Sequence, residues 1–200
     1  MQFNQNTTPV KVNVTSEIGR LNAVLLHRPG PEIERMTPSN AHEALYSDIL
    51  SKNIVDNEYK WFCGVFEKVT KVFYVSDILE KLLDDESLRS SLVRQSCTAE
   101  NCDFLIDEMM AQDSKTIARE LIEGFPYRPG KDPERFAQRR FTLRPLYNLF
   151  FTRDASSSVF DRVLINSMSF DVRKRENLIY KAIFQHFFGT EVINAQEWDA

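Results

Sequence analysis

The chain has 200 residues, of which 42% are hydrophobic and 27% charged, enough to bury the core of one domain, or of one domain with a small insertion. Its formal net charge of -4 offers no long-range attraction to phosphate backbones or anionic lipid, so the expected partners include no nucleic acid and no membrane. No stretch approaches the roughly 20 apolar residues that cross a bilayer, and Met1 to Asn13 lacks an apolar signal-peptide core, which makes the cytoplasm the expected location.

In chain order, Leu21 to Leu26 is short, apolar and closed by Arg28-Pro29-Gly30-Pro31, which reads as a buried strand running into a turn. Between Asn40 and Val69 the positions Tyr59, Phe62, Val65, Phe66 and Val69 recur at helical spacing. Lys71 to Val75 then returns to a strand pattern, and strand, helix, strand alternation implies an α/β chain. From Ser76 to about Arg140 short helical pieces follow, with Ser87, Asn101 and Asp113 as candidate caps and Gly124 with Pro126 as a stop. Tyr127 to Arg140, with two prolines and Arg135, Arg139 and Arg140, reads as a solvated connecting loop. Beyond it come a strand over Phe160 to Ile165, a helix from about Lys174 to Phe188 stopped by Gly189, and a strand from Glu191 to Asn194. The expected organisation is a first α/β module over 1–80, an inserted helical bundle with linker over 81–140, and a second α/β module over 141–200.

Cys63, Cys97 and Cys102 are odd in number and have no close ligand spacing, so they are expected to be free thiols, with Cys63 packed among Trp61, Phe62 and Phe66. His27, His42 and His186 stand singly, and no metal and no cofactor are expected; His186 is expected to pack against its helix's neighbours.

The densest polar cluster is Asn148-Leu149-Phe150-Phe151-Thr152-Arg153-Asp154. A carboxylate such as Asp154 can accept two parallel hydrogen bonds from a planar guanidinium. The competing structural role is an internal pair with Arg153, or a turn-capping aspartate.

That segment resembles the Asn-Leu-x-Phe-Thr-Arg-Asp signature of arginine deiminases. Three further stretches resemble the same family in the same order: Ser16-Glu17-Ile18-Gly19-Arg20-Leu21, then Thr37-Pro38-Ser39-Asn40 with Leu45 and Asp48, then Val163, Asn166, Met168 and Arg173 to Glu176. The likeness runs from about Thr15 to the end. It implies a partial pentein, an α/β propeller of strand-helix modules around a guanidinium site, carrying an inserted helical bundle. By the resemblance, the reaction is hydrolysis of L-arginine to L-citrulline and ammonia through a cysteine thiouronium intermediate. Asp154 matches the first guanidinium-binding aspartate, Asn148, Phe151 and Leu45 match residues that face the substrate, and Arg173 matches the arginine that pairs with the substrate α-carboxylate. Ser47 departs from an acidic residue common in the first loop.

The family's second guanidinium-binding glutamate, its catalytic histidine with an aspartate and its nucleophilic cysteine correspond to positions beyond Ala200, and Cys63, Cys97 and Cys102 match none of them. The 200 residues are therefore expected to supply the amino-terminal, substrate-binding part and to be inactive alone, with self-association through exposed module edges. The alternatives are a non-catalytic guanidine-binding or regulatory module, and part of a related amidinotransferase.

Overall fold

The computed structural model describes residues 8–38 and 40–195, so Ser39 of the first-loop motif lies outside the described residues. Strand β1 (Ala23–Leu26) pairs in parallel with β2 (Lys71–Tyr74), Leu25 opposite Phe73. A parallel pair needs a crossover, which is supplied by the short helix α1 (Pro31–Glu34), a run of turns, and the helix α2 (Lys52–Val69). The helical spacing read between Asn40 and Val69 thus becomes a helix only from Lys52. Upstream, Asn40 competes with helix formation: its Oδ1 accepts from the Thr37 amide at 2.6 Å and its Nδ2 donates to the Arg35 carbonyl at 3.3 Å, closing a turn.

Helices α3 (Val75–Leu82), α4 (Glu86–Ala99), α5 (Ile106–Met110) and α6 (Ser114–Glu123) follow directly from β2. Asp113 caps α6 by accepting from the Thr116 amide, as expected, but Asp85 caps α4 in place of Ser87, which lies inside the helix. Asn101 does not cap either; it turns the chain after α4 in the left-handed region, at φ 58°. Gly124 ends α6 at φ 78°, where a Cβ would meet the Leu143 carbonyl oxygen at 2.6 Å and the Pro145 nitrogen at 2.7 Å, so only glycine fits.

The antiparallel pair β3 (Phe125–Pro126) and β4 (Phe141–Leu143) closes the segment between them. As expected from its arginines, that segment is largely an exposed loop, with Arg135, Arg139 and Arg140 all exposed, but it is pinned to the body at two points. Phe136 is buried, and Arg128 bridges Glu108 of α5 and the buried Asp132, which also accepts from Thr142. Next come a one-turn helix α7 (Thr152–Ala155), the antiparallel strands β5 (Ser156–Val159) and β6 (Arg162–Ile165), the helix α8 (Asp171–Ala182) extended by a wider turn over Ile183–Phe187, and β7 (Glu191–Asn194), parallel to β6. β5 is a run of three serines and a valine without apolar alternation, which is why the sequence pattern did not reveal it. The fold is therefore mixed α/β, with strand-helix-strand units on either side of a run of helices.

One apolar cluster joins these parts: Phe73 of β2, Leu79, Val93, Met109 and Leu121 of the helices, and Val163, Ile179 and Tyr180 of β6 and α8. All three cysteines are free and buried. His186, expected to pack, is exposed. The stripe on α2 is only partly covered: Tyr59 and Phe66 are half-buried while Phe62, Val65 and Val69, with Trp61 beside them, are exposed, and Cys63 is the only buried residue of that helix. Among the described residues no helix is long and apolar enough to cross a membrane.

Candidate functional site

Three side chains expected at a site are brought together where α7 meets the first turn of α8. Arg173 donates from Nη1 to Asp154 Oδ2 at 2.7 Å, and its guanidinium carbon lies 6.0 Å from the centre of the Phe151 ring. The partner of Asp154 is thus Arg173 and not its neighbour Arg153, which points outward and pairs with Glu17. Asp154 uses one carboxylate oxygen for this contact, and its side chain is 51% exposed, so it can accept a further donor.

The turn that carries Asp154 is held by side-chain amides. Asn166, at the end of β6, donates from Nδ2 to the Asp154 carbonyl at 2.8 Å, while its backbone amide bonds the Ala155 carbonyl at 3.0 Å. Asn177 of α8 donates in turn to the Asn166 carbonyl at 2.8 Å. The phenol of Tyr180 donates to the Leu149 carbonyl at 2.7 Å, fixing the loop that enters α7. Each bond satisfies a backbone group that the irregular chain leaves without a ladder partner.

Asn148 acts from behind the site. It is buried, and its Nδ2 donates to the Ala44 carbonyl at 3.0 Å, which anchors the loop bearing Leu45. Leu45 itself sits at φ 67°, an unfavourable conformation for a branched side chain, and is 38% exposed. The next residue, Tyr46, donates to the Tyr147 carbonyl at 3.1 Å, and Asn40 donates from Nδ2 to the Tyr147 hydroxyl at 3.2 Å, so the two loops are stitched together at several points. Burial pushes the Tyr46 phenol well above its usual value, with the charges of Arg173 and Glu176 acting on it in opposite senses.

Glu176 is the residue whose role the sequence did not disclose, although it falls within a stretch that carries the resemblance. It lies one turn beyond Arg173 on α8, and its carboxylate accepts from Nε at 3.0 Å and Nη2 at 2.9 Å of that arginine. The signal available was the spacing itself, since side chains three apart on a helix are neighbours. Glu176 has a side chain 1% exposed against 12% for Arg173, so the larger share of the desolvation cost falls on the glutamate. Burial accordingly raises the Glu176 pKa, and Arg173 offsets only part of that rise. For Arg173 burial works against the charge, but Glu176 and then Asp154 outweigh it and the pKa rises.

A second buried pair stands behind this one. His27 Nε2 and Glu32 Oε1 are 3.1 Å apart, and the same oxygen accepts from the Gly30 amide at 2.6 Å. Burial acts to raise the Glu32 pKa, but His27 and Gly30 hold it below the usual carboxylate value. A cleft of about 490 Å³ between α1, α3 and α6 is lined by His27, Arg28, Glu32, Glu80, Arg119 and Glu123 among others; Asp154 and Arg173 do not line it. By formal charge, Asp154 and Glu176 against Arg173 leave the α7–α8 corner with one negative charge in excess among these three residues, half open to solvent at Asp154 and beside an aromatic face. That arrangement suits a planar organic cation.

A family model described as arginine deiminase matches residues 42–198. Curated arginine deiminases are similar over most of the chain: that of Pediococcus pentosaceus is 30% identical over 189 residues, and that of Oenococcus oeni 31% identical over 203 residues. A third, from Limosilactobacillus reuteri, is 30% identical over 191 residues. Each of the three matches covers 88% of this chain and 46% of the relative, so the chain spans about half the length of the curated relatives it matches.

Proposed function

Because the chain belongs to the arginine deiminase family, we propose that it contributes the Asp154–Arg173 part of an L-arginine site in a protein that hydrolyses L-arginine to L-citrulline and ammonia. The observation that carries this is the disposition of Asp154: a half-exposed carboxylate with one oxygen engaged, set on a rigidly held turn beside Phe151 and opposite the guanidinium of Arg173.

In this reading Asp154 holds the substrate guanidinium through charge-assisted bonds, Phe151 covers one face of it, and Arg173 takes the α-carboxylate with its planar fork. Asn148 and Leu45 act through the first loop, which Asn148 ties to the Ala44 carbonyl so that Leu45 lines the entrance. The chemistry requires a thiolate to attack the guanidinium carbon and an acid to protonate the departing ammonia. Cys97 and Cys102 are enclosed in the apolar cluster and Cys63 is the buried residue of α2, which supports a division in which Asp154, Phe151 and Arg173 bind and orient substrate while thiolate and histidine come from elsewhere in the family polypeptide.

The same proposal treats 1–80 and 141–200 as strand-helix modules of a pentein propeller and 81–140 as a bundle and linker set between them. The parallel pairs β1–β2 and β6–β7, each with a helix in the crossover, support it. The exposed part of the apolar stripe of α2 supports association of the isolated chain with itself.

Calorimetric titration of the chain with L-arginine and L-lysine tests the central claim. L-arginine is expected to bind at least about tenfold more tightly, since an ammonium lacks the two-pronged fork that matches a carboxylate. Equal affinity for the two would refute the guanidinium assignment.

A further inference from the structure

The two carboxylates around Arg173 are unequal. Glu176 takes the Nε and Nη2 edge with both oxygens and is 1% exposed, whereas Asp154 takes Nη1 with one oxygen and is 51% exposed. The buried contact is bidentate and lies on the same rigid helix as the arginine; the open one is single and spans two elements. A guanidinium gripped by one edge keeps its plane fixed and can exchange what it meets at the other.

We propose that Glu176 is the positioning residue of this site: it locks the Nε–Nη2 edge of Arg173 and thereby aims Nη1 at Asp154 and at the anionic end of an incoming ligand. The role toward ligand rests on the assignment of Arg173 to the substrate carboxylate; the lock itself does not, because it exists before any ligand arrives.

The lock has a proton dependence. Arg173 and Tyr180 from α8, Asp154 from α7, His27 beyond β1 and Tyr46 from the first loop are the titratable groups that act with Glu176. Burial places the Glu176 pKa above that of an ordinary carboxylate, so it takes up a proton sooner as the pH falls and then loses half its grip on Arg173. The sign for stability is opposite. A group whose folded pKa is raised favours the fold at lower pH and loses that contribution as the pH rises through its folded value. Loosening of Arg173 and global stability therefore respond to pH in opposite senses through this group.

The test uses the nitrogen-15-labelled chain without ligand, read by NMR at the arginine Nε–Hε group and assigned by the peak that disappears in Arg173→Lys. A slowly exchanging Arg173 Nε–Hε is expected in the wild type and in Asp154→Asn. It should exchange markedly faster in Glu176→Asp, whose carboxylate sits one methylene short of the Nε–Nη2 edge, and Glu176→Gln should restore it in part through one neutral acceptor. Lowering the pH should reduce the protection of the wild-type Nε–Hε, measured against the intrinsic exchange rate at the same pH, toward that of Glu176→Gln while the backbone spectrum stays folded, and Glu176→Gln should show no such step. Persistence of the peak in folded Glu176→Asp, or its loss in Asp154→Asn, overturns the proposal. Should the Glu176 variants fail to fold, the wild-type pH titration alone decides, for a protection relative to the intrinsic rate that does not change with pH across the folded range refutes the lock. Titration with L-arginine then reads the consequence for ligand: Glu176→Gln should weaken binding by about tenfold or more. If the Nε peak behaves as expected while the wild type binds no L-arginine, the arginine assignment fails and the role toward ligand falls with it, leaving a lock without that purpose.

Discussion

Two arginines in the first turns of α8 have different tasks, and replacing Arg175 separates structure from binding. Arg175 is 2% exposed; it donates from Nη1 to the Arg144 carbonyl at 2.6 Å and from Nη2 to the Leu121 carbonyl at 2.7 Å, and Glu100 stands 3.8 Å away. It thus ties α8 to the end of α6 and to the chain leaving β4, where Glu100 also receives Arg144 Nε at 2.9 Å. Arg175→Met keeps much of the length and apolar stem but strips both carbonyls of their donors. Each charge-assisted bond contributes roughly 1.5 to 3 kcal/mol, giving about 3 to 6 kcal/mol for the two. Relief from desolving the guanidinium, which burial here drives toward a lower pKa, and from the unpaired Nε offsets part of that. A loss of about 3 to 5 kcal/mol is expected, or roughly 6 to 20 °C in Tm for a chain of this size. Arg153→Met is the control: its partner Glu17 is 68% exposed and Arg153 80%, so under about 1 kcal/mol is at stake. Urea unfolding followed by circular dichroism measures both. If Arg175→Met unfolds within about 1 kcal/mol of the wild type, the network joining α8 to the helical segment is not what holds the parts together, and the apolar cluster alone must.

Asp154→Asn should weaken L-arginine binding by about tenfold to a hundredfold, from the loss of one charge-assisted bond, while unfolding shifts by less than about 1 kcal/mol; calorimetric titration beside a urea curve checks both, and an unchanged affinity would make Asp154 merely structural. The chain alone should release no citrulline from L-arginine in a colorimetric assay, because its three cysteines are buried; turnover that survived replacement of all three would refute the division of labour proposed above. Trp61→Glu with Val65→Glu should reduce self-association measured by light scattering across concentrations, since both side chains stand on the exposed face of α2, and an unaltered mass profile would place the contact elsewhere.

The sequence by itself determined the elements whose signals are local. β1, β2 and β7 are short runs of strand-forming residues, Asp113 and Gly124 announce the two ends of α6 by their own chemistry, and the alternation of strand and helix gives the mixed α/β class. The motif Asn148 to Asp154 was legible for the same reason, as a dense local sequence of polar and aromatic types. Local pattern failed where another local interaction competed, as at Asn40, whose side chain bonds the turn and delays α2 to Lys52, and where a strand carries no pattern, as in the serines of β5. What only the tertiary structure decided is pairing over distance. Asp154 could have met Arg153 next to it; it meets Arg173 because Asn166 and Asn177 dock α7 against the start of α8. Nor could periodicity say how much of the stripe of α2 is covered, since an amphipathic helix specifies that one side is apolar while its neighbours determine what that side meets. Burial also decides that Glu176 bears more of the desolvation cost of pairing with Arg173 than Asp154 does, and burial is a property of everything packed around a residue, which no stretch of its own sequence contains.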